Sequence, residues 1–250
     1  MTGRVVWPDD DPGLLAAVLG HCRTGLAGSS EAQAWLARRR LDDAGALEVF
    51  GVGFSDRTLG LGLPARVRGR DDDVRGRLQR LGLLRSSGHE HFRGCVTFPV
   101  ADAAGGVVQV YGRTLLDDAR LGAGRHRWLP SVRRGVWNVA GLEDEVIVCD
   151  GVIDAFTFWC AGFRSVTAVD GAGGFDDELA DTLIRLGVGR VLIAFAADPS
   201  PAHRPVARAG RRDPRPPGSG HRARSARSHD VGGALRDRYP PQRTRRGRRR

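Results

Sequence analysis

The chain has 250 residues and a mass of 27.0 kDa, enough for one large domain or two small ones around a sizeable core. Its formal charge of +10 is uneven: residues 199–250 hold 16 Arg and 3 Asp, a net of +13, while residues 1–198 hold 23 basic and 26 acidic groups, a net of −3. The body is therefore mildly acidic and the basicity belongs to a tail. No run of about 18 apolar residues occurs, which excludes a membrane-spanning helix. The N-terminus (MTGRVVWPDDDPG) lacks the apolar core of a secretory signal. Cys22, Cys95, Cys149 and Cys160 lie 73, 54 and 11 residues apart, with no CxxC pair. That spacing excludes a zinc ribbon and argues against a disulfide scaffold, so the expected compartment is the reducing cytoplasm. Every basic side chain other than histidine is Arg, the mark of a GC-rich coding sequence.

In chain order, residues 13–40 read as helices. Leu14, Leu15, Val18 and Leu19 share one face, and Glu31 to Arg40 form a second segment with Ser30 as its N-cap. Asp42-Asp43 open a short helix that runs to Phe50 and stops at Gly51, and Val52-Gly53-Phe54 read as a short strand. Residues 71–84 (DDDVRGRLQRLGLL) read as a helix with acids at its positive end. Phe92 to Val100 and Val107 to Tyr111 are β-rich runs joined by a hairpin turn at 102–106. An Arg- and Gly-rich loop follows over 121–134, then Val136-Trp137-Asn138.

From Glu145 the pattern becomes strand, helix, strand, helix, strand. Val146 to Cys149 is a continuous apolar run of the kind a buried parallel strand takes. Ile153 to Ala161 and Asp176 to Leu186 have helical spacing, and Ser165 to Val169 and Arg190 to Phe195 read as strands. These predict a small parallel α/β unit. After Asp198 the pattern ends. Residues 199–250 hold eight of the 13 prolines and only Val206, Val231 and Leu235 as large aliphatics. Such a segment buries too little to offset roughly 1–2 kcal/mol of chain entropy per residue and is expected to be disordered.

Ligands of open parallel sheets collect at the carboxyl ends of the strands. Asp150 sits just past the first strand, Asp154 one helical turn later, and Asp198 just past the third strand. Converging carboxylates repel unless a cation lies between them, and all-oxygen ligation favours Mg²⁺ or Mn²⁺. The plainer reading of Asp150 and Asp154 is an N-cap and a solvated helix residue. Trp128 and Trp137 suit stacking on bases, with packing the plainer role. His89 and His91 flank Glu90 in a metal-like cluster that otherwise reads as a surface strand.

The string CDGVIDAFTFWCAGFRSVTAVDGAGG (149–174) resembles the TOPRIM signature: a strand ending in an acid and Gly, an Asp in the next helix, and a second strand leading to a Gly-rich turn. Upstream, FRGCVTFPVADAAGGVVQVYGR (92–113) and RHRWLPSVRRGVWN (125–138) resemble the segments before TOPRIM in bacterial DnaG-type primases. The resemblance covers residues 30–198. It implies an α/β fold with a helical N-terminal region (1–88), a mixed β subdomain (89–142), a truncated TOPRIM sheet (143–198) and a disordered basic tail (199–250). It implies a DNA primase-like nucleotidyltransferase that makes RNA primers on single-stranded DNA from ribonucleoside triphosphates, with a replicative helicase as a further partner. The catalytic acids then fall at Asp150 and Asp154, the Mg²⁺ or Mn²⁺ ligands at Asp150 and Asp198, and the nucleic-acid and nucleotide contacts at Arg93, Arg113 and Arg127.

Four departures from that pattern point to impaired activity. Asp150 stands where the family has Glu, shortening its reach by about 1.5 Å. Ala196 replaces an expected Asp of the metal pair. The family's continuing Asp-x-Asp-x-Ala-Gly helix and further strand are replaced by PSPAHRPVARAGRRDPRPPGSG, and no zinc module precedes the core. The abrupt shift to Arg, Pro, Gly, Ala and Ser has the composition of a GC-rich gene read out of frame from near Phe195–Asp198. The alternative function is a catalytically inactive primase remnant that only binds nucleic acid.

Overall fold

The computed structural model describes residues 7–64, 73–115, 124–130, 134–169 and 176–195. Helix α1 (Asp11–Gly28) starts where Asp10 accepts a hydrogen bond from Gly13 N at 2.6 Å. Helix α2 (Ser30–Arg38) is capped by Ser29, whose extended backbone lets its hydroxyl accept from Ala32 N at 3.2 Å. The expected cap, Ser30, is already helical; the cap belongs to the last residue with extended dihedrals. Helix α3 (Ala44–Val49) is capped by Asp43 on Ala46 N, and Gly51 ends it at φ +58°. Strand β1 (Gly53–Phe54) follows, then a single turn, α4 (Leu59–Gly62), which the sequence did not predict.

Helix α5 (Val74–Arg80) is shorter than the 71–84 reading. Asp73 caps it, and Gly82 at φ +77° turns the chain so that Leu83 and Leu84 leave the helix for the core. Strands β2 (Cys95–Ala101) and β3 (Val107–Thr114) form the expected hairpin. Strand β4 (His126–Trp128) lies inside what the sequence reads as loop. Three residues, His-Arg-Trp, carry no period-two signal, so its pairing with β3 supplies the strand. The order is β1-β2-β3-β4, all antiparallel.

The second sheet is parallel, order β6-β5-β7, built from β5 (Glu145–Cys149), α6 (Val152–Cys160), β6 (Val166–Ala168), α7 (Asp177–Arg185) and β7 (Arg190–Ala194). Each element lies within two residues of its expected place, and the mixed α/β class is as read. The strand β5 buries both faces. Ile147 and Cys149 face the α6 side, and Val146 and Val148 pack with Leu179 and Leu183 of α7. Residues 196–250, with Ala196, Asp198 and the basic tail, lie outside the described residues.

The two sheets share one core. Phe98 and Tyr111 of the antiparallel sheet, Trp137 and Phe156 of α6 belong to a single buried cluster with Trp35, Leu36 and Val166. Phe156 meets Phe98 edge-on at 5.3 Å, and Trp137 stacks on Phe50 at 4.3 Å. Polar ties span the same seam: Thr167 donates to the Trp137 carbonyl at 2.6 Å and Asn138 Nδ2 to the Val166 carbonyl at 2.8 Å. A second cluster packs α1 on the other face of the antiparallel sheet. There α1 and β1 approach through two glycines: a Cβ on Gly25 would lie 2.4 Å from the Phe54 carbonyl oxygen, and one on Gly53 2.6 Å from Cys22 Cβ.

Candidate functional site

Asp150 leaves the carboxyl end of β5 and Asp154 lies in the first turn of α6, whose N-cap is Gly151. A Cβ on Gly151 would lie 3.6 Å from Asp154 Oδ2, so the Asp154 carboxyl reaches back over the turn. Burial, then the charge of Asp150, then a hydrogen bond between the two carboxyls push Asp154 from 3.8 up to about 6. Asp150 is not a cap and Asp154 is not a solvated helix residue. They form a close carboxyl pair in which Asp154 holds its proton to about pH 6. Burial and the same two carboxylates push the neighbouring Cys149 thiol far up, so it stays protonated.

The antiparallel sheet contributes a second side. Tyr111 and Arg113 are two residues apart on β3 and share the face that carries His126 and Trp128 of β4. The Tyr111 hydroxyl lies 2.8 Å from His126 Nδ1. Burial raises Tyr111, Arg113 pulls it down and Asp154 pushes it up, which places this hydroxyl in the field of both the acid and the arginine. Burial, then Arg113 and Arg125, lower His126. The hydroxyl and the ring nitrogen share one hydrogen bond, and which of them donates is set by the imidazole tautomer. Sequence reasoning missed Tyr111 and His126 as site residues. They meet only because β4 pairs with β3, and β4 has no sequence signature.

The expected arginines divide. Arg113 lies on the face toward Asp154. Arg127 is paired with Gly112 and so lies on the opposite face, where Phe92 fills the space above Gly112. Its Nη1 donates to the carbonyls of His91 at 2.9 Å and Arg93 at 3.4 Å. Arg93 is exposed in the turn before β2. Arg85, which the sequence did not single out, joins this group: with Arg127 and Arg113 it offsets part of the burial that raises Cys95, and with Arg127 it adds to the burial that lowers His91. His91 Nε2 donates to the Trp128 carbonyl at 2.8 Å.

Two further expectations resolve. The segment around Glu90 is not a surface strand: Glu90 is buried, accepting from the Ser55 hydroxyl and from Leu59 N at 3.0 Å. Trp137 is core, and Trp128 packs tilted on Tyr111 at 5.1 Å. Among the described residues no three His, Cys, Asp or Glu side chains gather in a way that could hold a metal ion. Two carboxyls do converge, and the third expected ligand, Asp198, lies outside the described residues, as does Ala196. No helix among the described residues is long and apolar enough to cross a membrane.

No protein-family profile and no curated protein matches the chain. Solved structures do. A DnaG catalytic core superposes with a TM-score of 0.61 at 19% identity, covering 78% of this chain and 64% of that one. A DnaG primase catalytic domain bound to single-stranded DNA gives 0.62 at 19% identity, covering 76% and 62%. A DNA primase domain from Pseudomonas aeruginosa gives 0.61 at 23% identity, again covering 76% and 62%. The fold is that of bacterial DnaG primase catalytic cores, and the chain spans less than two thirds of the length of each of these three.

Proposed function

We propose that this chain is a primase-like TOPRIM protein that performs metal-dependent nucleotidyl transfer, joining ribonucleotides into short primers on single-stranded DNA, at a reduced rate. The observation that carries the reading is the Asp150–Asp154 carboxyl pair at the carboxyl end of β5, within a DnaG-like fold. The donor chemistry fits a hard divalent cation: both groups are oxygen donors, and burial together with the charge of Asp150 raises Asp154. Asp150 and Asp154, with Asp198, are the residues that would hold Mg²⁺ or Mn²⁺. Such a cation neutralises triphosphate charge and favours the ionised form of an attacking 3′-hydroxyl.

The protein's own groups do the rest. Arg113 offers a planar fork to phosphate oxygens on the face toward Asp154, and Arg93 with Arg127 adds positive charge for a template on the other side of the antiparallel sheet. Asp150, one methylene shorter than Glu, seats its carboxylate about 1.5 Å short. Displacement by about 1 Å costs on the order of 10²-fold in rate. Ala196 offers no donor at all, and this favours a second reading: a remnant that binds nucleic acid without synthesis.

A primer-synthesis assay on single-stranded template with Mg²⁺ or Mn²⁺ separates the two. Product that disappears in Asp154→Ala supports the enzyme. Template binding without product, and with a Mn²⁺-dependent rise in thermal midpoint that Asp154→Ala abolishes, supports the remnant. A chain that neither binds template nor responds to either cation refutes both.

A further inference from the structure

Among the described strands β7 has one partner, β5, and no described residue pairs with the outer edge of Arg190–Ala194. Val191 and Ile193 lie in register with Val146 and Val148 and share their face of the sheet. The β5 pair is 0% exposed, whereas Val191 and Ile193 are 37% and 50% exposed. Two more aliphatics stand in solvent at the end of the preceding helix, Ile184 at 75% and Leu186 at 48%. Open edges are usually blunted by proline, a bulge or an outward charge. This strand has no proline, and its one charge, Arg190, is taken up by Glu145 at 2.7 Å.

The sequence that follows this strand has little apolar to lay on its edge. Residues 199–250 contain Val206, Val231 and Leu235 as their only large aliphatics, and eight of the 13 prolines. The strand itself is self-complementary. Turned about a two-fold axis through Leu192, Val191 of one copy meets Ile193 of the other and Arg190 meets Ala194, so apolar pairs apolar and no like charges face each other.

We infer that β7 is a self-association edge: two copies pair antiparallel through Arg190–Ala194 and merge their parallel units into one six-stranded sheet. Five-residue strands with four exposed aliphatics make an interface at the small end of the specific range, so the dimer is weak and concentration-dependent. The +13 tails repel each other, so added salt strengthens the dimer, the reverse of its effect on nucleic-acid binding.

Sedimentation equilibrium of the full chain from micromolar to submillimolar concentration tests this. The expected mass rises from 27.0 kDa toward twice that value, and Ile193→Lys weakens association roughly tenfold or more. Should Ile193→Lys fail to fold, Leu192→Cys keeps the test open: Cα atoms across the two-fold lie about 4.5–5.5 Å apart, within disulfide reach, so mild oxidation yields a covalent dimer absent from the parent. A mass that stays at 27.0 kDa throughout, with no Leu192→Cys cross-link, overturns the proposal. So does a dimer that Ile193→Lys leaves intact. Amide protection of 190–194 that is independent of protein concentration also overturns it, because the chain then covers its own edge.

Discussion

Replacing Asp154 by Asn tests the carboxyl pair without demanding turnover. The Asp154 carboxyl is raised from 3.8 to about 6 by burial and by Asp150. Between those values the folded protein holds a proton that the unfolded chain has released. Stability therefore falls as pH rises through this window, and the full penalty is present above about pH 6. Two pH units at about 1.4 kcal/mol each give a penalty of roughly 3 kcal/mol. Asparagine is neutral at every pH, and its amide can still donate to Asp150. The variant should match the parent near pH 4, where Asp154 is itself neutral. It should be more stable by roughly 1–3 kcal/mol near pH 7.5. Urea unfolding of both proteins at the two pH values measures the difference directly. An equal difference at both would mean that Asp154 titrates as an ordinary solvated acid, and the reasoning about the pair would fall.

Other expectations concern the scaffold. Gly25→Ala should destabilise by roughly 1–3 kcal/mol, because its Cβ would lie 2.4 Å from the Phe54 carbonyl oxygen. Gly20→Ala in the same helix has nothing nearer than 3.7 Å and should gain roughly 0.5–1 kcal/mol; chemical denaturation of the pair separates contact from propensity. Trp137→Ala should cost roughly 3–5 kcal/mol in the same assay, since the ring is 2% exposed and stacks on Phe50. Glu90→Ala leaves the Ser55 hydroxyl and Leu59 N without their acceptor and should cost roughly 1–3 kcal/mol; a loss under about 0.5 kcal/mol would show that water replaces the carboxylate freely.

The parallel unit was legible because its signals are strong and local. Val146 to Cys149 is apolar throughout, and Asp176 caps α7 through Leu179 N, a signature written in four residues. What the sequence hid depends on distant pairing. Strand β4 exists only because Tyr111, Gly112 and Arg113 accept it as a neighbour, so the Tyr111–His126 contact had no local trace. Glu90 looked like surface because a carboxylate between two histidines usually is. Its burial is made tolerable by Ser55 and Leu59, residues 35 and 31 positions away. The acids at 150 and 154 were visible as candidates. Their proximity was not, since it depends on the turn at Gly151 and on how deeply α6 is packed.

That depth has a mechanical meaning. Phe156 follows Asp154 by two residues, and its ring is wedged against Phe98, Phe50 and Trp137, so the acidic end of α6 is anchored to the strands that carry Tyr111 and Arg113. The Asp154 carboxyl and the Tyr111 and Arg113 side chains are thus mounted on one packed frame instead of on two jaws that close. The distance from Asp154 to the β3 face is therefore fixed by core packing. Adjusting that distance would require breaking the Phe156 packing, so fine changes at this end of α6 fall to side-chain rotation.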